Sequence, residues 1–287
     1  MLTQDPQPTA HTPAAWGFTA STGQPFTHQS IVDAHFDACR EPYRGLLNQV
    51  GIQPGMHVLD AGCCGGHFLP WLAELAGPHG RVSAVDLAPE HAARAAARVR
   101  SAHLACPVDV RQGDITSLPY EDGSFDAVWC SNTVQVLTDD ELRFSLAELR
   151  RVTRPGGLIA VKDVDAHAFA VRPGDPFLFS DLFRAAAKSP GYLRQVLRNR
   201  ELYVWMRKAG IGNVRQRTVS IEHFAPFTGE VHAYYGPAFA ELAEQAMKLG
   251  LTSPSWVALR EPAHPRSPFN HPDGYVSEGN VLAVGTA

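Results

Sequence analysis

Asp60, Asp86 and Asp114 each follow a short apolar run, and the first leads into Gly62-Cys63-Cys64-Gly65-Gly66. A glycine-rich turn behind a carboxylate lets a ligand sit against bare backbone. Amides at the start of the next helix point toward such a ligand. Asp86 stands twenty residues after Gly66. A carboxylate there can accept both hydroxyl hydrogens of a ribose diol in a charge-assisted pair. Gly113-Asp114-Ile115 places an acceptor beside a backbone N–H, the complement of an adenine edge. Plainer roles exist for each acid: Asp60 as a helix cap, Asp114 as the start of an Asx turn, Asp86 as a solvated turn residue before Pro89. Their joint order favours an adenosyl-type ligand.

Regular elements must carry these residues to one place. Strands are expected over 57–61, 81–86, 108–112, 125–130 and 158–163. Helices are expected over 68–76, 89–102 and 139–152, the second opened by Pro89. Such alternation predicts a parallel sheet covered on both faces, with ligands at the carboxyl ends of the strands. A helix is expected from 29 to 50, interrupted near Pro42. Beyond Asp163 the pattern suggests helices over 177–188, 193–209 and 230–249, and strands over 213–222 and 281–284. Residues 253–274, rich in Pro and His, read as loop.

The order of these segments, with Leu118–Val128 and Arg154-Pro155-Gly156-Gly157 after them, resembles the class I S-adenosylmethionine-dependent methyltransferases of small-molecule type. The resemblance covers residues 56–164 well and the flanks more loosely. It implies an α/β, Rossmann-like fold: a seven-stranded, mostly parallel sheet with helices on both faces, the last strand antiparallel. A lid helix would precede the sheet, and helical and loop insertions would follow. S-adenosyl-L-methionine would be the cofactor. By the likeness, Asp60, Gly62 and Cys63 border its methionine moiety. Asp86 and Leu87 hold ribose and flank adenine, and Asp114 and Ile115 hold adenine. Ser131 and Asn132 face the amino-acid end. The family usually has glycine where this chain has Cys64. Either that thiol points into the sheet–helix junction while Gly65 makes the tight turn, or it crowds the cofactor.

Methyl transfer needs alignment of nucleophile, methyl carbon and sulfur, with water kept away. A base is needed only where the nucleophile must lose a proton. On the acceptor side the early helix offers His35, Phe36 and Arg40. Tyr43 beside them is a candidate cofactor contact, since in look-alike enzymes such a helix lies as a lid over the cofactor and aromatic faces there suit a cationic methyl donor. After the fifth strand come Asp163, Asp165 and His167; Asp163 and His167 are the candidate catalytic pair, His167 as general base. Phe179 and Tyr234 are candidate pocket residues among many aromatics of the second half, suggesting a small, aromatic or apolar methyl acceptor.

The 287 residues, 45% hydrophobic and 19% charged, suffice for one large α/β domain. Residues 1–27, rich in Pro, Thr and Gln, read as a flexible lead-in; 28–287 form the methyltransferase domain, its cofactor core at about 50–165 and acceptor-side insertions at about 165–280. A net charge of −4 gives no basic field for nucleic acid. Arg94, Arg98 and Arg100 read as a solvated helix face. Five cysteines without C-x-x-C spacing argue against a disulfide framework or structural zinc and fit a reducing cytoplasm. His264 and His271 read as loop histidines, and no metal is expected. No apolar run approaches the roughly 20 residues of a membrane span, and no secretory signal is visible. Two other functions remain open: a non-catalytic binding protein on the same fold, and an NAD(P)-dependent oxidoreductase, whose G-x-G-x-x-G fingerprint the turn does not match.

Overall fold

Runs such as Val58-Leu59 and Val82 to Val85 are apolar at consecutive positions because both faces of their strands are covered. In the computed structural model, which describes residues 17–21, 25–188, 190–261 and 263–287, they form strands of one sheet. A small antiparallel hairpin comes first, β1 (Gly17–Thr19) with β2 (Pro25–Thr27). Part of the expected flexible lead-in is therefore paired strand; residues 1–16 lie outside the described residues.

The early helix is two helices, α1 (Gln29–Ala38) and α2 (Arg40–Asn48). The break falls at Cys39 rather than Pro42. Pro42 sits in the first turn of α2, where its missing N–H would be unpaired anyway.

The alternating core follows: β3 (His57–Ala61), α3 (Leu69–Ala76), β4 (Arg81–Asp86), α4 (Pro89–Ser101), β5 (Val108–Gln112), β6 (Phe125–Ser131), α5 (Asp139–Val152) and β7 (Thr153–Arg172). A capping box between Thr138 and Glu141 starts α5. The remainder is α6 (Leu178–Ala186), α7 (Tyr192–Leu197), α8 (Leu202–Lys208), β8 (Gly212–Phe224), α9 (Gly229–Lys248), α10 (Pro254–Arg260) and β9 (Tyr275–Thr286). The stretch expected as loop thus holds α10, anchored by buried Trp256.

The seven strands lie in the order β5-β4-β3-β6-β7-β9-β8. β9 runs antiparallel to both neighbours, while β3 to β7 pair in parallel. The chain moves outward from β3 to β5 on one side, then returns to place β6 on the other. The switch point between β3 and β6 opens a crevice at their carboxyl ends.

One face of the sheet packs Leu46, Leu47, Leu69 and Leu72 of α2 and α3; the other packs Leu142, Leu146 and Leu149 of α5. A third core sits over the carboxyl edge, where α1, α6, α9 and α10 gather around Trp256, Tyr235 and Phe239. β7 and β9 are much longer than expected. After an irregularity beyond Asp165 they pair again from Ala170↔Ser277 to Arg172↔Tyr275. This extension is the wall that supports the helical cap. Among the described residues no helix is long and apolar enough to cross a membrane.

Candidate active site

A cavity of about 430 Å³ lies at the switch point, between the strand ends and the cap. Its strand-edge end is acidic. Asp60 is the residue before the end of β3 and Asp86 closes β4, and both carboxylates are buried. Burial, and then the negative charge of Asp86, push the Asp60 carboxyl up to about 8. Asp60 Oδ2 and the Ser131 hydroxyl are buried without a protein hydrogen bond. Orphans of this kind usually mark a missing partner. Asp86 is fixed from three sides: the N–H groups of Cys64 and Ala88 donate to it at 2.8 and 3.0 Å, and His91 Nδ1 lies 3.2 Å away.

The glycine-rich turn is built differently from the expectation. The N–H groups of Gly62 and Cys63 donate to the Val85 carbonyl, and that of Cys64 to Asp86, so these amides hold β4 rather than a ligand. Gly62 has φ +82°, and a Cβ there would collide with the Thr133 side chain. Cys64 itself takes the left-handed conformation, φ +44°, and lines the cavity. Gly65 does not take over the turn; it is where α1 comes closest, since a Cβ there would lie 2.6 Å from Gln29 Nε2. Asp33 of α1 ties this lid down, with His67 Nε2 at 2.7 Å and Arg94 Nη2 at 3.3 Å. Arg98 donates to the Gly65 carbonyl at 2.8 Å. Two arginines expected on a solvated face therefore clamp the lid and its turn.

The other end is aromatic and carries a buried polar network. Phe36, Tyr43, Phe68, Tyr192 and Tyr234 line it. His35 stacks on Tyr234 with ring centroids 3.9 Å apart and sets Nε2 3.0 Å from Glu278 Oε1 and 2.8 Å from the Tyr43 hydroxyl. Asn280 donates to the same Glu278 oxygen at 2.8 Å. The Lys162 ammonium donates to Asn132 Oδ1 at 2.7 Å and sits 3.6 Å above the Tyr43 ring. Asn132 Nδ2 in turn donates to the Tyr43 hydroxyl at 3.3 Å. Burial would raise Glu278, but His35, Lys162 and Asn280 outweigh it and hold the carboxylate at about 2. Burial pulls Lys162 down and pushes the Tyr43, Tyr234 and Cys39 protons up.

Of the residues singled out from the sequence, Asp60, Gly62, Cys63, Asp86, Ser131 and Asn132 line the cavity, as do His35, Phe36, Tyr43 and Tyr234. Leu87 is 37% exposed and Ile115 is packed in the core beneath α5; neither lines the cavity. Asp114 stands at the same sheet edge, next to Gly113, whose N–H donates to the Asp86 carbonyl. Its Oδ1 accepts from the Thr116 N–H and hydroxyl at 2.8 and 2.7 Å, an Asx turn that keeps it off the cavity wall.

Three candidates on the acceptor side are displaced. Asp163 is buried with its oxygens accepting from the N–H groups of Gln135 and Val164 at 2.9 and 2.8 Å. His167 is exposed beside Asp165 and lines an outer groove. Side chains alternate along a strand. On β7 Lys162 faces the Tyr43 ring and Val164 lines the cavity, so 163, 165 and 167 fall on the other face. Phe179 packs into the cap core against Phe169, Phe239 and Trp256 rather than into the cavity.

Sequence reasoning missed Glu278, Lys162, Tyr192 and the Asp33–His67 latch. The signal for Glu278 and Asn280 was a pair of polar residues just before an apolar strand. All five cysteines are free thiols, and Nδ1 of His264 and of His271 accepts from backbone N–H groups two residues on.

Residues 58–157 match the family described as methyltransferase domain. Over 129 residues the chain is 38% identical to an uncharacterized 37.1 kDa protein in transposon TN4556 of Streptomyces fradiae, covering 45% of this chain and 36% of that protein. It is 42% identical over 113 residues to the malonyl-[acyl-carrier protein] O-methyltransferase of Erwinia billingiae, covering 39% of this chain and 40% of that one. These matches span less than half the length of the curated relatives. Among solved structures, phosphoethanolamine N-methyltransferase 2 of Haemonchus contortus, in complex with S-adenosyl-L-methionine, superposes with a TM-score of 0.53 at 17% identity, covering 89% of this chain and 56% of that one. That likeness is one of fold.

Proposed function

We propose that this chain, whose residues 58–157 match a methyltransferase domain, is a class I S-adenosylmethionine-dependent methyltransferase that transfers a methyl group to a small, aromatic or apolar acceptor. The observation that carries this reading is the two-ended cavity, carboxylates at the strand edge and aromatic rings opposite. The residues present fit the cofactor. Asp60 Oδ2 and the Ser131 hydroxyl lack partners where the methionine ammonium and carboxylate would lie. Asp86, held rigid by two N–H groups, would accept from the ribose hydroxyls. Leu87, exposed just past the end of β4, would flank adenine at that strand end.

When bound, the cofactor supplies a methyl group on a sulfonium. The chain's own residues bind, orient and dry the site. Tyr43 and Phe68 present faces that attract a cation. α1, latched through Asp33, covers the glycine-rich turn and excludes water. The acceptor would lie among Phe36, Tyr192 and Tyr234. Alignment of this kind is worth on the order of 7–11 kcal/mol of the barrier.

Calorimetric titration with S-adenosylmethionine, S-adenosylhomocysteine and NAD⁺ tests the cofactor assignment. The first two should bind and NAD⁺ should not; the reverse would defeat it. Transfer of a labelled methyl group to phenolic acceptors should then occur, and an inert, cofactor-saturated protein would mark a non-catalytic binder.

A further inference from the structure

His35 lines the aromatic end of the cavity and Glu278 is buried behind it, and neither is among the groups assigned above to the cofactor. We propose that His35 is the general base of the transfer, that Glu278 fixes its tautomer, and that the acceptor is therefore a protic group such as a phenol or enol. This rests on the methyltransferase reading above.

The geometry decides which ring nitrogen does the work. Glu278 is fully buried and held ionised. An ionised carboxylate 3.0 Å from His35 Nε2 can only accept, so Nε2 carries the hydrogen and donates it to Glu278 Oε1. In the neutral ring the lone pair then lies on Nδ1, which has no protein partner among the described residues. The ring lines the cavity, and stacking on Tyr234 fixes its plane. A base oriented by a buried carboxylate on its far nitrogen is the general arrangement for proton abstraction near neutral pH.

Charged and titratable groups face the ring from every neighbouring element. They are Cys39 between α1 and α2, Tyr43 of α2, Lys162 of β7, Tyr234 and Tyr235 of α9, and Glu278 of β9, with His223 of β8 behind Tyr235. Lys162 offsets Glu278 in the resting state, and its ammonium is occupied by Asn132 and the Tyr43 ring. It is a positioning residue, and it does not line the cavity.

The step balances without a further reactant. The acceptor X–H gives its proton to His35 Nδ1. The X lone pair forms the bond to the methyl carbon as the carbon–sulfur bond breaks, and that electron pair stays on sulfur. The positive charge passes from sulfonium to imidazolium, where Glu278 stabilises it.

The test compares wild type, His35→Ala and Glu278→Gln with labelled S-adenosylmethionine and two phenols. At about pH 8 the first, 2-naphthol, is protonated and the other, 4-nitrophenol, is largely ionised. His35→Ala should bind S-adenosylhomocysteine within about threefold of wild type, which also certifies folding. It should lose about 10²–10⁴-fold in turnover of 2-naphthol, far less with 4-nitrophenol, and recover with added imidazole. Glu278→Gln should bind S-adenosylhomocysteine within about threefold of wild type, yet lose more than about tenfold in turnover of 2-naphthol and far less with 4-nitrophenol. Equal losses on both phenols without imidazole rescue would overturn the base. So would stoichiometric zinc that Cys39→Ser abolishes, since the ring would then be a ligand with Cys39 and Glu278. Failure of wild type to bind S-adenosylhomocysteine would instead overturn the proposed function, and this role with it. Binding without turnover of either phenol would mark the non-catalytic binder named above and overturn the base and its acceptor class together.

Discussion

At the strand-edge end of the cavity, Asp60 and Asp86 lie at the ends of two adjacent parallel strands, and amides of the turns that follow those strands fix Asp86. At the opposite end, His35, Tyr43, Lys162, Tyr234 and Glu278 come from five different elements, and His35 and Glu278 are 243 positions apart. The first region is made by local geometry: a strand stops, a turn begins, a carboxylate points out. The second exists only when helices and extended strands have docked on one another. Cofactor capture and acceptor chemistry thus depend on different parts of the fold and should respond separately to substitution.

The largest effect should come from the cap core that supports the acceptor end. Phe179→Ala removes a ring packed on Phe239 and Trp256 and should cost roughly 3–5 kcal/mol of stability in urea unfolding. A cost below about 1 kcal/mol would mean the cap is not a packed core. Asp86→Ala should lower S-adenosylmethionine affinity about hundredfold, or about 2.7 kcal/mol, while Tyr234→Ala should shift it less than about threefold. Equal losses by calorimetry would erase the division between the two ends.

Gly62→Ala places a side chain at φ +82° against Thr133 and should destabilise by roughly 1–3 kcal/mol. Trimming Thr133 to alanine should return part of that in thermal melts; no return would locate the strain in the backbone alone.

The smallest effect concerns protons. The folded Asp60 carboxyl, raised to about 8 from 3.8, keeps a proton that the unfolded chain releases. Its contribution to stability is therefore full below about pH 4 and falls as pH rises toward 8. A cationic ligand beside it favours the carboxylate, so cofactor binding near pH 7 should release a fraction of a proton. Calorimetry in buffers of differing ionisation heat measures this, and Asp60→Asn should abolish it.

What the sequence made legible follows the same division. The boundaries of β3, β4 and β5 and the placing of Asp60 and Asp86 follow from short-range patterns. Asp163 and His167 were expected at the site because they follow the right strand, but a strand alternates faces, and sequence position alone does not give its parity. Glu278 was hidden because Glu278, Gly279 and Asn280 interrupt the apolar run of β9 and resemble a turn. Only the pairing of β9 with both β7 and β8 makes them strand, by supplying backbone partners on either side. Phe179 was one of many aromatics in the second half, and no pattern in the chain separates a ring that fills a core from one that lines a cavity.

The long span between His35 and Glu278 orders events in the life of the molecule. A chain whose closing strand has yet to join the sheet would already own its nucleoside crevice, but no oriented imidazole. Damage that frees β9 would likewise stop chemistry while leaving the crevice standing. Oriented acceptor chemistry therefore requires β9 in place between β7 and β8.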